Sequence, residues 1–315
     1  MADVFTLFTV FLFLFLFGMT LLRIGLHQFS YRHMKRLIMN FVDKPWKGML
    51  IGIIATALLQ SSSGTMILTV SLVGAGVLTF QQSIGIILGA NIGTTLTLEL
   101  FSFFSHIPLW PILIIGTILL WFPSPLLFGI GTITFGLGTI FVALDGFSTL
   151  ALPLQQFPLL LETVHYTNEE PLVSIIIGTV LTMIIQSSTA STGIAMAFLQ
   201  EGVFTLPAAI GIMLGANIGT CITAWVASLG SNHDAKLAAF AHIWLNIAGV
   251  VIFAPFLDQL AHVSTFLAST PAQQLAHISV LFNIVSSLMI LPIIHHFTTF
   301  VLFLHDKKTH APPSI

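Results

Sequence analysis

Residues 60–97, QSSSGTMILTVSLVGAGVLTFQQSIGIILGANIGTTLT, return 126 residues later as QSSTASTGIAMAFLQEGVFTLPAAIGIMLGANIGTCIT, residues 186–223, with no gap between the copies. Any fold available to this chain must build the same polar device twice. Both copies lie in strongly apolar sequence, where an unpaired hydroxyl, amide or peptide group costs roughly several kcal/mol because no water satisfies it. Two duplicated polar interruptions at membrane depth point to a transport site.

The surroundings agree. The chain of 315 residues is 56% hydrophobic and 6% charged, too little polar surface for a soluble globule. Apolar runs recur at about 4–26, 48–76, 80–105, 108–122, 126–146, 171–202, 205–230, 236–256 and 274–303. All are helical candidates, and the expected class is an all-α polytopic membrane protein. The nine Lys and Arg form no basic stripe, which excludes nucleic acid as a partner. A single Cys221 forms no internal disulfide and reads as a helix-packing residue. The twelve histidines include the adjacent pair His295 and His296, which point to different faces, so no transition-metal site is expected. The first apolar run lacks a basic leader and a cleavage site and reads as a retained helix.

The runs at 48–76 and 171–202 are broken by QSSSG and QSSTAS, so each is expected to be a re-entrant helical hairpin. The runs at 80–105 and 205–230 carry GANIGT, whose Gly89, Gly93, Gly215 and Gly219 suggest discontinuous transmembrane helices. Basic residues collect on the cytoplasmic side. Arg23, Arg32, Lys35, Arg36, Lys44 and Lys47 put the loop 27–47 inside, and Lys236, Lys307 and Lys308 fall on the same side whether both QSS segments are re-entrant or both span. The C-terminus is then cytoplasmic, and only the acidic stretch 147–170 separates the two cases: re-entry puts it outside, which its lack of basic residues favours. Each repeat crosses an odd number of times, so the second is inverted relative to the first. The expected units are a first repeat at 1–124, an inverted second repeat at 125–256, and one extra C-terminal helix with a short tail at 257–315.

An oxyanion in such a site needs donors, and a cation needs oxygen ligands. A half-helix that starts after each break offers backbone N–H groups, a positive dipole end and Ser or Thr hydroxyls. Its first turns hold Ser61, Ser62, Ser63, Gly64 and Thr65 in one copy and Ser187, Ser188, Thr189, Ala190 and Ser191 in the other. The preceding half offers free carbonyls. Together with the amide oxygens of Gln60, Gln186, Asn91 and Asn217 and the hydroxyls of Ser61, Ser187, Thr94, Thr95 and Thr220, these suit a weakly held Na+. For the threonines, back-bonding to their own helices competes with that role. No Lys or Arg is expected deep in the membrane, so the anion must rely on neutral donors and bound cations. A dianion moving toward a negative interior works against roughly 2.3 kcal/mol per charge per 100 mV, so about two to three co-transported monovalent cations are required for uptake.

With QSSS, QSST and both GANIGT stretches in place, and with LFGMTLLRIGL, FGLGTIFVAL and AHIWLN besides, nearly the whole chain resembles the type II sodium/phosphate cotransporter family. The resemblance implies Na+-driven symport of inorganic phosphate across the bacterial inner (plasma) membrane, with no cofactor beyond the co-transported Na+. It also implies that Gln60, Ser61, Ser62 and Ser63, with Gln186, Ser187, Ser188 and Thr189, form the core of the site. Thr189 stands where the pattern has a third serine. Some bacterial relatives append a soluble regulatory domain, which is not expected here. A phosphate exporter and a carrier of another small oxyanion stay open as alternatives, as does assembly with further copies of the chain. An intramembrane enzyme lacks a Ser-His-Asp, HExxH or paired-Asp arrangement, and a ligand-free scaffold gives no reason for the duplication. Glu99 is the one acid placed well inside a span, and its counterpart is Trp225. His242, Asn246 and Asn283 read as polar links between helices, with no assigned role in the site.

Overall fold

The computed structural model describes residues 2–41, 44–104, 107–154 and 156–305. The tail with Lys307 and Lys308 lies outside the described residues, as do the side chains of Arg32, Lys35 and Arg36. Every described element is helical: α1 (Ala2–Phe41), α2 (Pro45–Leu59), α3 (Ser62–Gly74), α4 (Phe80–Phe101), α5 (Leu109–Leu120), α6 (Pro125–Thr149), α7 (Ala151–Leu154), α8 (Pro158–Glu169), α9 (Pro171–Ile185), α10 (Ser188–Gln200), α11 (Leu206–Ser228), α12 (His233–Phe253), α13 (Leu257–Leu267), α14 (Pro271–Ile290) and α15 (Ile294–His305). Pro255 and Pro292, which lack the amide a helix interior requires, sit in 3-10 turns that join α12 to α13 and α14 to α15. Six helical runs among the described residues are long and apolar enough to cross a bilayer: 3–28, 80–101, 125–154, 206–228, 233–267 and 271–305.

The 126-residue offset extends to the helix boundaries. Helices α2, α3 and α4 begin at Pro45, Ser62 and Phe80, and α9, α10 and α11 at Pro171, Ser188 and Leu206. The connections match as well: Thr79 and Thr205 cap α4 and α11, and Gly76 and Gly202 adopt φ of 71° and 70° just after α3 and α10. Helices α2 and α9 have 15 residues each, and α3 and α10 have 13. A helix of that length reaches only about 20–22 Å, short of a hydrocarbon core about 30 Å thick.

Glycines set how these helices pack. A Cβ on Gly85 would lie 2.4 Å from the Pro45 carbonyl oxygen, one on Gly89 1.9 Å from that of Met49, and one on Gly93 2.7 Å from that of Ile53. The second copy repeats this. Cβ atoms on Gly215 and Gly219 would lie 2.0 and 2.5 Å from the Ile175 and Thr179 carbonyl oxygens. Residue numbers rise together on the two helices, so α2 runs parallel to α4 and α9 parallel to α11, and α3 and α10 carry the chain back between them. The expectation of discontinuous helices is thereby corrected: α4 and α11 continue unbroken through GANIGT. The glycines, spaced four apart, let two backbones touch rather than loosening one.

Two further expectations change. The loop 27–47 is helical as far as Phe41, because α1 extends well beyond its apolar run. The acidic stretch 147–170 contains α8, which meets α9 at a bend of 118°. Its exposed charges are spaced for a helix, with His165 Nε2 3.3 Å from Glu169 Oε2 one turn on. Elsewhere α1 packs antiparallel on α6, where Gly18 faces Gly136 and Gly25 faces Gly129. Helices α3 and α10 each pack on the helix that follows, α3 on α4 and α10 on α11, and beyond that α3 packs on α11 and α12 whereas α10 packs on α4, α6 and α14.

Candidate functional site

Each QSS break has the same backbone. Gln60 (φ 48°, ψ 36°) and Gln186 (φ 57°, ψ 29°) are the non-glycine residues with positive φ among the described residues. A left-handed conformation costs an L-residue about 1–2 kcal/mol. Glycine would relieve that cost, so retaining Gln twice indicates that the side chain or its bulk matters at this turn. Ser61 and Ser187 follow in extended conformation as N-caps. The Ser61 hydroxyl accepts from the Gly64 amide at 3.0 Å, and that of Ser187 from the Ala190 amide at 3.2 Å. The Thr65 and Ser191 amides and hydroxyls donate back to the Ser61 and Ser187 carbonyls. Among the described residues this leaves the amides of Ser62 and Ser63, and of Ser188 and Thr189, without a partner at the positive ends of α3 and α10.

The side chains then diverge. Gln60 Nε2 donates to the Ala57 carbonyl at 2.6 Å, and Gln60 Oε1 accepts from the Thr97 hydroxyl at 2.7 Å. Arg23 Nε donates to the Gln60 carbonyl at 3.2 Å. The half-buried Arg23 lies within the apolar run 3–28 and has no carboxylate partner among the described residues. The expectation that no Lys or Arg lies deep in the membrane grouped Arg23 with the loop that follows, whereas α1 packs on α2 and brings this guanidinium to the first turn. The Gln186 side chain is exposed and has no hydrogen-bond partner among the described residues.

Four of the expected residues meet in one place. Thr94 and Thr95 on α4, Ser188 on α10 and Asn217 on α11 line a cavity of about 10 Å³, joined by Thr192, Ser279 and Asn283 and closed by Leu98 and Met213. That is room for one water-sized or dehydrated-ion guest. The hydroxyls of Thr94 and Thr95 donate to the Ala90 and Ile92 carbonyls, and Asn217 Nδ2 donates to the Met213 carbonyl. The two threonine hydroxyls have thereby spent their protons, so their oxygens can only accept, whereas the hydroxyls of Ser188, Thr192 and Ser279 keep theirs. One stretch of α4 therefore serves both motifs, since Thr94, Thr95 and Leu98 face Ser188 while Thr97 holds Gln60. Asn91 lies elsewhere, bonded through Nδ2 to Asn246 Oδ1 at 3.1 Å, and Thr220 donates back to the Ala216 carbonyl. Glu99 is met by His277, whose Nδ1 is 2.7 Å from Glu99 Oε1, and this links α4 to α14. A larger cavity of about 290 Å³ has Thr163 and Ser191 at its wall, whose hydroxyls donate to the Leu159 and Ser187 carbonyls, and is otherwise lined by apolar side chains such as Phe8, Leu181, Ile194 and Phe198, and so offers an oxyanion no donor set.

Sequence reasoning missed Arg23, Thr97, Thr192 and Ser279 and gave Asn283 no role in the site. Thr97 was visible as the last residue of the first copy. Ser279 and Asn283 stand four apart in an apolar helix outside the duplicated elements, a spacing that signals a polar stripe.

These features define a multi-pass helical membrane protein with a duplicated polar turn and a small polar cavity between its helices. The chain matches the Na+/Pi-cotransporter family over residues 14–149 and 157–285 and belongs to that family. It is 39% identical over 301 residues to the uncharacterised Bacillus subtilis protein YqeW, covering 96% of this chain and 98% of that one. It is 26% identical over 283 residues, 89% of this chain, to the Escherichia coli protein provisionally named inorganic phosphate export protein YjbB, of whose length it spans 52%. A stretch of 91 residues, 27% of this chain, is 35% identical to human sodium-dependent phosphate transport protein 2B, covering 13% of that protein. No solved structure matches.

Proposed function

We propose that the protein is a secondary transporter that carries inorganic phosphate together with Na+ across the bacterial inner membrane. In this reading phosphate binds the free amides and hydroxyls at the starts of α3 and α10, and Na+ occupies the small cavity lined by the oxygens of Thr94, Thr95, Ser188 and Asn217. The carrying observation is that one stretch of α4 contacts both QSS turns, so a guest at either turn is felt by the helix that serves the other. Arg23 supplies positive charge at the first turn. Helices α2–α3 and α9–α10 act as re-entrant hairpins, for which their shortness and the chain reversal between parallel neighbours argue. The repeats 1–124 and 125–256 are inverted, a reading supported by the antiparallel packing of the corresponding helices α1 and α6. Access alternates as one repeat rocks against the other, with residues 27–47 and the C-terminus on the cytoplasmic side.

The test is uptake of radiolabelled phosphate into proteoliposomes under an inward Na+ gradient, with choline as the control. Accumulation only with Na+ is the expected result, and equal uptake in both removes the coupling. A second reading, net phosphate export in the cell, is favoured by the similarity to YjbB. It predicts that phosphate loaded inside vesicles leaves faster than external phosphate enters under matched gradients.

A further inference from the structure

Beneath α8 lies the larger cavity, which the transport reading does not use. About 290 Å³ in volume, it is bounded by Val4 and Phe8 of α1, Leu160 and Val164 of α8, and Ile194 and Phe198 of α10. Its walls are held apart. Helix α8 leaves α9 at a bend of 118°, and Asn168 pins its end to the chain before α11: Asn168 Nδ2 donates to the Val203 carbonyl at 3.0 Å, and the Thr205 amide donates to Asn168 Oδ1 at 2.8 Å. The volume is close to the lower end of pockets that hold organic ligands, about 300–1,000 Å³. Water does not suit it, because the Thr163 and Ser191 hydroxyls already donate to backbone carbonyls and a cavity lined by apolar groups stays dry. Lipid tails are as apolar as this wall, so a guest gains from filling the void and restoring dispersion contacts rather than from leaving water. The charges that neighbour the wall in sequence are acidic. Asp3 precedes Val4, Glu162 precedes Thr163 and Glu201 stands just before Val203, and all three are exposed. Residues 1–22 and 147–170 contain no Lys or Arg.

We infer that this cavity is a lipid site, which takes one acyl chain of a phospholipid whose headgroup ends in an ammonium. Phe5 and Thr163 line the cavity and are exposed, so it reaches the protein surface there and a chain can enter from the bilayer. The ammonium meets Asp3, Glu162 and Glu201, and an anionic headgroup is repelled by the same carboxylates. Ser191 stands in the wall with both its amide and its hydroxyl on the Ser187 carbonyl, so an occupied cavity braces the first turn of α10. The lipid thereby supports the copy of the QSS turn whose Gln186 side chain has no partner among the described residues.

The test is native mass spectrometry and thermal melting of the purified protein in detergent, without phosphate or Na+, titrated with phosphatidylethanolamine and with phosphatidylglycerol of the same acyl chains. The wild type is expected to bind phosphatidylethanolamine at one saturable site, to melt higher when it does, and to bind phosphatidylglycerol roughly fivefold more weakly, the scale of exposed charge pairs. Glu162→Lys, an exposed change that leaves the cavity intact, is expected to remove or reverse that preference. Ala195→Phe puts a ring into the cavity and is expected to abolish both the binding and its effect on melting, while the lipid-free protein melts no lower than the wild type. A wild type that binds the two lipids equally, or neither, overturns the inference, and so does an Ala195→Phe protein that binds phosphatidylethanolamine like the wild type. If Ala195→Phe fails to fold, the Glu162→Lys arm decides: an unchanged preference overturns the inference. Phosphate and Na+ take no part in this readout, so the lipid site and the transport reading fail separately.

Discussion

The two QSS turns share a backbone and differ in what holds them. At the first, the Gln60 amide is tied to Ala57 and Thr97, and Arg23 grips its carbonyl. At the second, the Gln186 side chain is exposed and has no partner among the described residues, while Ser188 lines a cavity between helices. Local sequence dictates the turn itself, namely a left-handed Gln, a capping Ser and two free amides. The surroundings decide whether that turn is locked or open. In the transport reading, unequal restraint of equal devices is what an alternating carrier needs, because one half must hold while the other yields.

The largest expected effect tests what the copies share. Gly89→Leu and Gly215→Leu each force a side chain into the backbone of α2 or α9, and both are expected to cost more than about 4 kcal/mol and to yield little folded protein on size-exclusion chromatography. A severe effect in only one copy would break the equivalence. The next tests what they do not share. Arg23→Gln removes a charged donor from Gln60 and is expected to cost roughly 1.5–3 kcal/mol of stability by thermal melting, whereas Thr149→Ala at the equivalent position is expected to stay within about 0.5 kcal/mol. Thr97→Val frees the Gln60 amide and is expected to cost about 1 kcal/mol, with Thr223→Val close to neutral. The smallest effect differs in sign. Gln186→Gly relieves a left-handed residue that makes no side-chain bond and is expected to raise stability by about 0.5 kcal/mol, the balance between relieved strain and a more flexible unfolded chain. Gln60→Gly loses two hydrogen bonds and is expected to lower it. Identical responses to these paired substitutions would mean that the turns are equivalent after all.

Much of the architecture was legible because duplication is a property of sequence: the matching helix starts at Pro45 and Pro171, Ser62 and Ser188, Phe80 and Leu206 follow from the 126-residue offset. The meaning of the GANIGT glycines was not. A glycine in a membrane helix either eases the backbone or admits a neighbour, and only the partner helix distinguishes the two. The spacing of Gly85, Gly89 and Gly93, and of Gly211, Gly215 and Gly219, was the available signal for close approach. Helix α8 was missed because its Glu162 and Glu169 resemble loop residues when no apolar run accompanies them. Of the site, Ser188, Thr94 and Asn217 were legible as duplicated polar residues, Thr95 only as a neighbour of one because its counterpart is Cys221, and the four converge in space. The partners of Gln60 were not, since what Arg23 touches depends on how α1 crosses α2, and nothing local encodes that crossing.

The account depends on the free amides at the starts of α3 and α10 being the phosphate-binding groups. An experimental structure determined with phosphate and Na+ tests this most directly. Phosphate density within hydrogen-bonding distance of the Ser62 and Ser63 or the Ser188 and Thr189 amides is the predicted result. Ordered phosphate elsewhere, with both turns empty or facing lipid, would contradict it.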